Sequence, residues 1–123
     1  MDQQTIAILG LDVKGVKFLE EMIQLAGRGV HVAGVSGAAK AVEAQVRKAG
    51  VPLLSVQQMV DLGDDLDIIF DLSGDRDLRA ELRKTLFASN NQHTVIAPAS
   101  VARLIWTLID EGEPPSGLQS PGY

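Results

Sequence analysis

Short apolar runs alternate with stretches of helical periodicity along nearly the whole chain, and this alternation constrains the fold more than any other feature. A strand covered by helices on both faces reads as a continuous apolar run, whereas a helix on the sheet shows one apolar stripe. Here the runs are Ile6–Leu9, Val30–Val35, Leu53–Leu54, Asp67–Ser73 and His93–Ala97, each followed by a helical pattern. Strictly alternating strands and helices predict an α/β domain with a parallel sheet. Right-handed crossovers then give a doubly wound sheet of about five strands, order 3-2-1-4-5, with helices on both faces.

The helices have their own punctuation. Val16, Leu19, Met22, Ile23 and Ala26 form one stripe, closed by Gly27 and Gly29, and Val42, Val46 and Ala49 form the next, closed by Gly50 ahead of Pro52. Ser55-Val-Gln-Gln58 has the spacing of a capping box, and Asp75 opens a helix whose Leu78, Leu82 and Leu86 share a side. In the last helix, capped by Ser100, the residues Val101, Leu104, Ile105, Leu108 and Ile109 follow the i, i+3, i+4, i+7, i+8 pattern and predict the core face. At 100° per residue Trp106 falls off that stripe, beside Ala102, Arg103 and Asp110, so it is either partly covered by the tail or buried by another subunit, and the edge position of the helix favours a two-fold homodimer through the helix containing Trp106. After Gly112, "EPPSGLQSPGY" has no periodicity, so residues 1–112 read as one domain and 113–123 as a disordered tail.

Charge and composition narrow the function. A net charge of −5 with no Lys/Arg cluster argues against nucleic acid, and the absence of cysteine removes disulfides, thiol catalysis and thiolate metal sites. His31 and His93 stand at strand beginnings without metal-ligand spacing, so no metal is expected. No signal peptide or membrane span is readable, which makes the cytoplasm the expected location.

Ligands of doubly wound sheets bind beyond the carboxyl ends of the strands, where the strand order reverses. The loops gathered there are Gly10–Gly15, Ser36–Gly37, Ser73–Asp75 and Ala97–Ser100, with Pro98 in the last. The turn Gly10-Leu11-Asp12-Val13-Lys14-Gly15 keeps the first and third glycines of G-x-G-x-x-G and has Asp12 at the second. A carboxylate there opposes an anion at a helix N-terminus, while Lys14 offsets it. The turn is therefore either a phosphate cradle or a ligand-free strand-to-helix turn. Ser36 occupies the ribose-reading position at the end of strand two, and with Lys40 nearby it favours NADP slightly over NAD; alternatively Ser36 and Gly37 only begin a helix. Asp71, inside an apolar strand, needs a partner and is expected to accept loop N–H groups, or else to meet a ligand. Asp64, Asp65 and Asp67, at the far end of that strand, read as solvated. No catalytic constellation stands out.

The stretches "IAILGLDVKGVKFLEEM", "VHVAGVSG", "AGVPLLS", "LDIIFDLSGDRDLRAEL" and "HTVIAP" resemble the amino-terminal NAD(P)-binding Rossmann domain of the glucose–fructose oxidoreductase and homoserine dehydrogenase type. The "DLSGD" and "LIW" stretches are also similar to Rossmann-like modules beside signalling domains in bacterial regulators. The resemblance implies that Gly10 and Gly15 serve the dinucleotide turn, Ser36 the ribose, and Ser73 and Gly74 the nicotinamide side. It also implies that the acid/base chemistry of those dehydrogenases, which lies in a second domain, would need a partner chain. The expectation is a stand-alone regulatory module for NADP, NAD or a related nucleotide, acting on a protein partner. Two alternatives stay open: an interaction scaffold with a degenerate site, and a coenzyme A-binding domain, since "GVSG" and "GVPLLSV" resemble the CoA-binding half of acyl-CoA ligases.

Overall fold

The computed structural model describes residues 3–109. Strands and helices alternate in the order β1 (Gln4–Leu11), α1 (Val16–Gln24), β2 (Val30–Ala38), α2 (Lys40–Lys48), β3 (Leu53–Leu54), α3 (Val56–Val60), β4 (Ile68–Asp71), α4 (Arg76–Ala88), β5 (Val95–Pro98) and α5 (Ala99–Ile109). The sheet order is β3-β2-β1-β4-β5 and every neighbouring pair is parallel, as the alternation predicts.

Side-chain alternation along β1 divides the core in two. Ile6 and Ile8 face one side, where Phe18 of α1, Val42 and Val46 of α2, and Ala102 and Trp106 of α5 cover them. Ala7 and Leu9 face the other, beneath Met59 of α3 and Leu82 and Leu86 of α4. On the first side Phe18 and Phe70 meet edge to face, centroids 5.2 Å apart. Burying each such large side chain contributes about 1.5–3 kcal/mol, so central β1, fully covered on both faces, is the most strongly held element. The capping box at α3 forms as its spacing requires: Gln58 N–H donates to Ser55 Oγ (3.1 Å), and Ser55 N–H donates to Gln58 Oε1 (2.9 Å).

Three local expectations are corrected. Ser100 does not precede α5; the helix starts one residue earlier, at Ala99, directly from the end of β5. The helix is also rotated relative to its stripe. Ala99, Ala102 and Trp106 are buried and Ile105 is half-buried, while Leu104 and Leu108 are 60% and 77% exposed. Trp106, at 5% exposure, belongs to this chain's own core, and its indole N–H has no hydrogen-bond partner among the described residues. Asp67 is not a solvated loop residue but a clamp across three strands at the amino end of the sheet. Its Oδ2 accepts from Thr5 N–H of β1 (2.8 Å), and its Oδ1 lies 2.6 Å from Nε2 of His93, just before β5. The Thr5 N–H and then the His93 hydrogen bond hold the Asp67 carboxyl below its ordinary range; partial burial works against them and the imidazole charge adds to them. The expected tail, 113–123, lies outside the described residues.

Candidate functional site

At the carboxyl end of the sheet one level row, Leu54, Ser36, Leu9, Asp71 and Pro98, runs across all five strands. Beyond it β1 and β2 stay paired as far as Leu11 and Ala38, and Ala39 N–H still donates to the Leu11 carbonyl (2.8 Å). The three central loops then meet backbone to backbone. Gly10 and Gly37 have φ of +78° and +73°, values that only glycine adopts without strain. A Cβ on Gly10 would stand 2.6 Å from Ser73 Cα, and a Cβ on Gly37 would stand 3.5 Å from Gly10 N. Gly10, the first glycine of the turn, therefore closes the switch point against the β4 loop, and Gly37 of the β2 end lies across it.

A cavity of about 250 Å³ opens beside this junction, lined by Gly10, Leu11, Asp12, Gly37, Ala39, Leu72, Ser73, Asp75 and Leu78. Of the residues singled out from the sequence, Gly10, Asp12, Gly37 and Ser73 are brought together there. Gly15 is buried behind the turn, where an added Cβ would meet Leu11 Cδ1 at 3.2 Å, so its role is close packing of α1. Ser36 is 3% exposed, inside the paired part of β2, and is not among the residues lining the cavity. Lys14 and Lys40 are exposed on flexible stems near the turn and at the start of α2. Gly74 is exposed at φ +65°, and Pro98 is half-buried at the end of β5. A larger space of about 400 Å³, between Val60–Asp64 and Ser89–Asn91, lies at the amino ends of the strands, away from the helix N-termini that point at the mouth.

The electrostatics of the mouth are set by how its carboxylates are used. Gly15 N–H, at the close of the turn, donates to Asp12 Oδ1 (3.0 Å) and is shared with the Asp12 carbonyl (3.1 Å). Asp12 thus caps the turn leading into α1 with an internal anion. Asp75 does the same for α4, its Oδ1 accepting from Asp77 and Leu78 N–H groups (2.9 and 3.2 Å). Between them runs a network that the sequence indicates only in part. Asp71 Oδ1 accepts from Ser73 N–H (2.9 Å) and Ser73 Oγ–H (2.5 Å), as its burial demanded, and Ser73 Oγ accepts from Asp75 N–H (3.1 Å). Its other oxygen, Oδ2, is bound by Arg79 Nε at 2.7 Å, in a pair whose side chains are 0% and 7% exposed. The sequence reading does not single out Arg79; its signal is a charged residue near the apolar stripe of α4, between Leu78 and Leu82 in the sequence, where a buried basic group needs an acid.

No family model matches the sequence, and no curated protein does. Solved structures do resemble it in fold. Homoserine dehydrogenase of S. aureus, in crystals at pH 6.0, superposes with TM-score 0.54 at 22% identity over 90% of this chain and 31% of its own. The same enzyme at pH 7.0 gives TM-score 0.54 at 23% identity, with the same coverage. The fold is Rossmann-like. A dipicolinate synthase chain from Bacillus halodurans matches more distantly, with TM-score 0.42 and 14% identity, over 90% of this chain and 48% of its own. This chain spans about a third of the length of the homoserine dehydrogenases, and at such identities the likeness is one of architecture.

Proposed function

We propose that the chain is a nucleotide-binding module of the Rossmann kind, regulatory rather than catalytic, with NADP or NAD as its ligand class. The observation that carries this reading is the open mouth at the switch point. Gly10, Gly37 and Ser73 converge there beside two helix starts, the place where doubly wound sheets take ligands. In this reading Asp12 is a built-in competitor. A diphosphate must displace its carboxylate from Gly15 N–H, which forfeits a cap bond of about 1 kcal/mol and leaves a like charge beside the ligand. Lys14 and Lys40 supply the compensating charge.

A second reading has its own support. Among the described residues two carboxylates and no Lys or Arg line the cavity, and Asp12 already takes the Gly15 N–H, which favours an interaction scaffold with an abandoned site. Thermal unfolding with saturating NADP, NAD and coenzyme A separates the two. A ligand at a hundred times its Kd adds about 2.7 kcal/mol. For the nucleotide reading at least one dinucleotide raises Tm, and Asp12→Gly tightens its binding by about tenfold; the substitution removes the charge while costing only a few tenths of a kcal/mol as a cap. If neither the wild type nor Asp12→Gly responds, in protein shown by mass spectrometry to be ligand-free, the scaffold reading replaces it. A response to coenzyme A alone moves the assignment to that ligand.

A further inference from the structure

Helix α4 carries its positive charge on one side. At 100° per residue Arg76, Arg79, Ala80 and Arg83 share an arc of about 100°, and Asp77, Glu81 and Lys84 fall outside it. Those four residues line a cavity of about 200 Å³. It is distinct from the mouth, which takes Asp75 and Leu78 from this helix. Arginines on a helix ordinarily meet acids three or four residues away. The only acid so spaced from any of the three is Asp75, four residues before Arg79, and its Oδ1 is used in capping α4. Arg79 and Arg83 are instead i, i+4 to each other, a like-charge spacing that costs stability. Arg79 is 5% exposed, and Asp71 Oδ2 lies 2.7 Å from its Nε, which fixes the plane of the guanidinium. Arg76 and Arg79 have other partners as well, but an arginine has five N–H donors and serves several acceptors. Three guanidinium charges against the one Asp71 carboxylate leave an excess of two around the cavity, in a chain whose net charge is −5.

We propose that this cavity is an oxyanion site that takes a phosphoryl group, independent of whatever the mouth binds. Charge selects the ligand. A phosphoryl group carries about 1.5 to 2 negative charges at neutral pH and so matches the excess, whereas a single carboxylate brings one. The donors agree with that choice, because the planar fork of an arginine binds phosphate oxygens in pairs. Ala80, with nothing beyond Cβ, keeps the space between Arg76 and Arg83 open. Volume sets the limit. At about 200 Å³ the cavity is smaller than the roughly 300–1,000 Å³ of sites that enclose a whole organic ligand, so it admits the anionic group and leaves the rest of a larger molecule outside.

Titration of the full chain with inorganic phosphate and with pyrophosphate at low salt, followed by phosphorus NMR, tests this. The wild type should bind each anion, pyrophosphate the more tightly, and added salt should weaken both as the charges are screened. Arg83→Gln should weaken binding about tenfold or more. Its ligand-free Tm should move by no more than about 2 °C, because Arg83 is exposed and Gln keeps helix propensity. Lys84→Gln makes the same change of charge one residue along, outside the cavity, and should leave binding within about twofold. A wild type that binds neither anion, binding undiminished in Arg83→Gln, or an equal loss in Lys84→Gln overturns the proposal. So does binding that emerges only once Asp110, Glu111 and Glu113 are exchanged for Asn, Gln and Gln, which would assign the arginines to the chain's own acids.

Discussion

Arg79→Met is the substitution whose cost follows most directly from the structure. It keeps much of the aliphatic stem of Arg79 while removing the Nε–H that binds Asp71 Oδ2, leaving a carboxylate with 0% side-chain exposure opposite an apolar group. Breaking one half of a buried pair costs about 3–5 kcal/mol, because the remaining charge is neither solvated nor paired. The lower end applies here, since Oδ1 keeps both Ser73 donors. At about 4 °C per kcal/mol for a domain of this size, Tm should fall by about 12 °C. Asp71→Asn should also destabilise, by removing the negative charge that faces Arg79 Nε.

The guanidinium carries donors besides Nε, so the single variant overstates the pair, and a double-mutant cycle is the proper measure. Urea unfolding followed by circular dichroism gives the four stabilities. The double variant should be less destabilised than the sum of the singles, with a coupling of about 1–3 kcal/mol. A loss below about 1 kcal/mol for Arg79→Met, or strict additivity, would refute the account of Asp71 and Arg79 as a buried pair. The same cycle bears on the mouth, because Asp71 holds Ser73 and Ser73 holds Asp75 N–H.

The remaining predictions concern the two ends of the sheet. Since the Asp67 carboxyl titrates lower in the folded chain than its ordinary 3.8, its bonds stabilise the fold above that value, and the contribution is lost as pH falls through the folded pKa. Asp67→Asn should therefore melt below the wild type at neutral pH, with the gap closing in acid; a gap that persists undiminished into strong acid would contradict the clamp. At the mouth, Gly10→Ala should cost more than about 2 kcal/mol by chemical denaturation, because left-handed strain adds to a clash with Ser73 backbone. Gly37→Ala, with the same φ sign but ordinary contact distance, should cost about 1–2 kcal/mol, and equal losses at the two glycines would argue against the closed junction.

The architecture was legible because both its signals are local. Continuous apolar runs mark strands covered on both sides, and short-range stops such as Ser55, Gly50 and Asp75 act within one turn of the chain. The site was legible as a place more than as chemistry. Chain order brings Gly10, Gly37 and Ser73 to the switch point whatever else they do. That Asp12 would turn back onto Gly15 N–H is one rotamer among several, and nothing in the spacing selects it. Ser36 looked terminal because the apolar run stops at Val35, yet pairing with β1 continues through Gly37 and Ala38, whose backbones add ladder bonds without adding apolar side chains. The Asp67 clamp joins residues 62 and 26 positions apart, beyond any local pattern.

Helix α5 shows where periodicity misleads for a physical reason. A hydrophobic stripe identifies the core face only when the opposite face is polar, and in α5 Ala99, Ala102, Ile105 and Trp106 form a second apolar face behind Val101, Leu104 and Leu108. Packing then decides between them. The helix leaves β5 immediately after Pro98, so its first turn must lie close on the sheet, and only small residues fit there; Ala99 and Ala102 are 4% and 0% exposed. Facing Leu104 and Leu108 inward would lift the helix off the strand and expose Trp106, the largest apolar side chain it carries. Trp106, a turn further on, fills the space beside the core that the alanines leave. The strongest stripe is left outside because the closest contact selects for size before hydrophobicity.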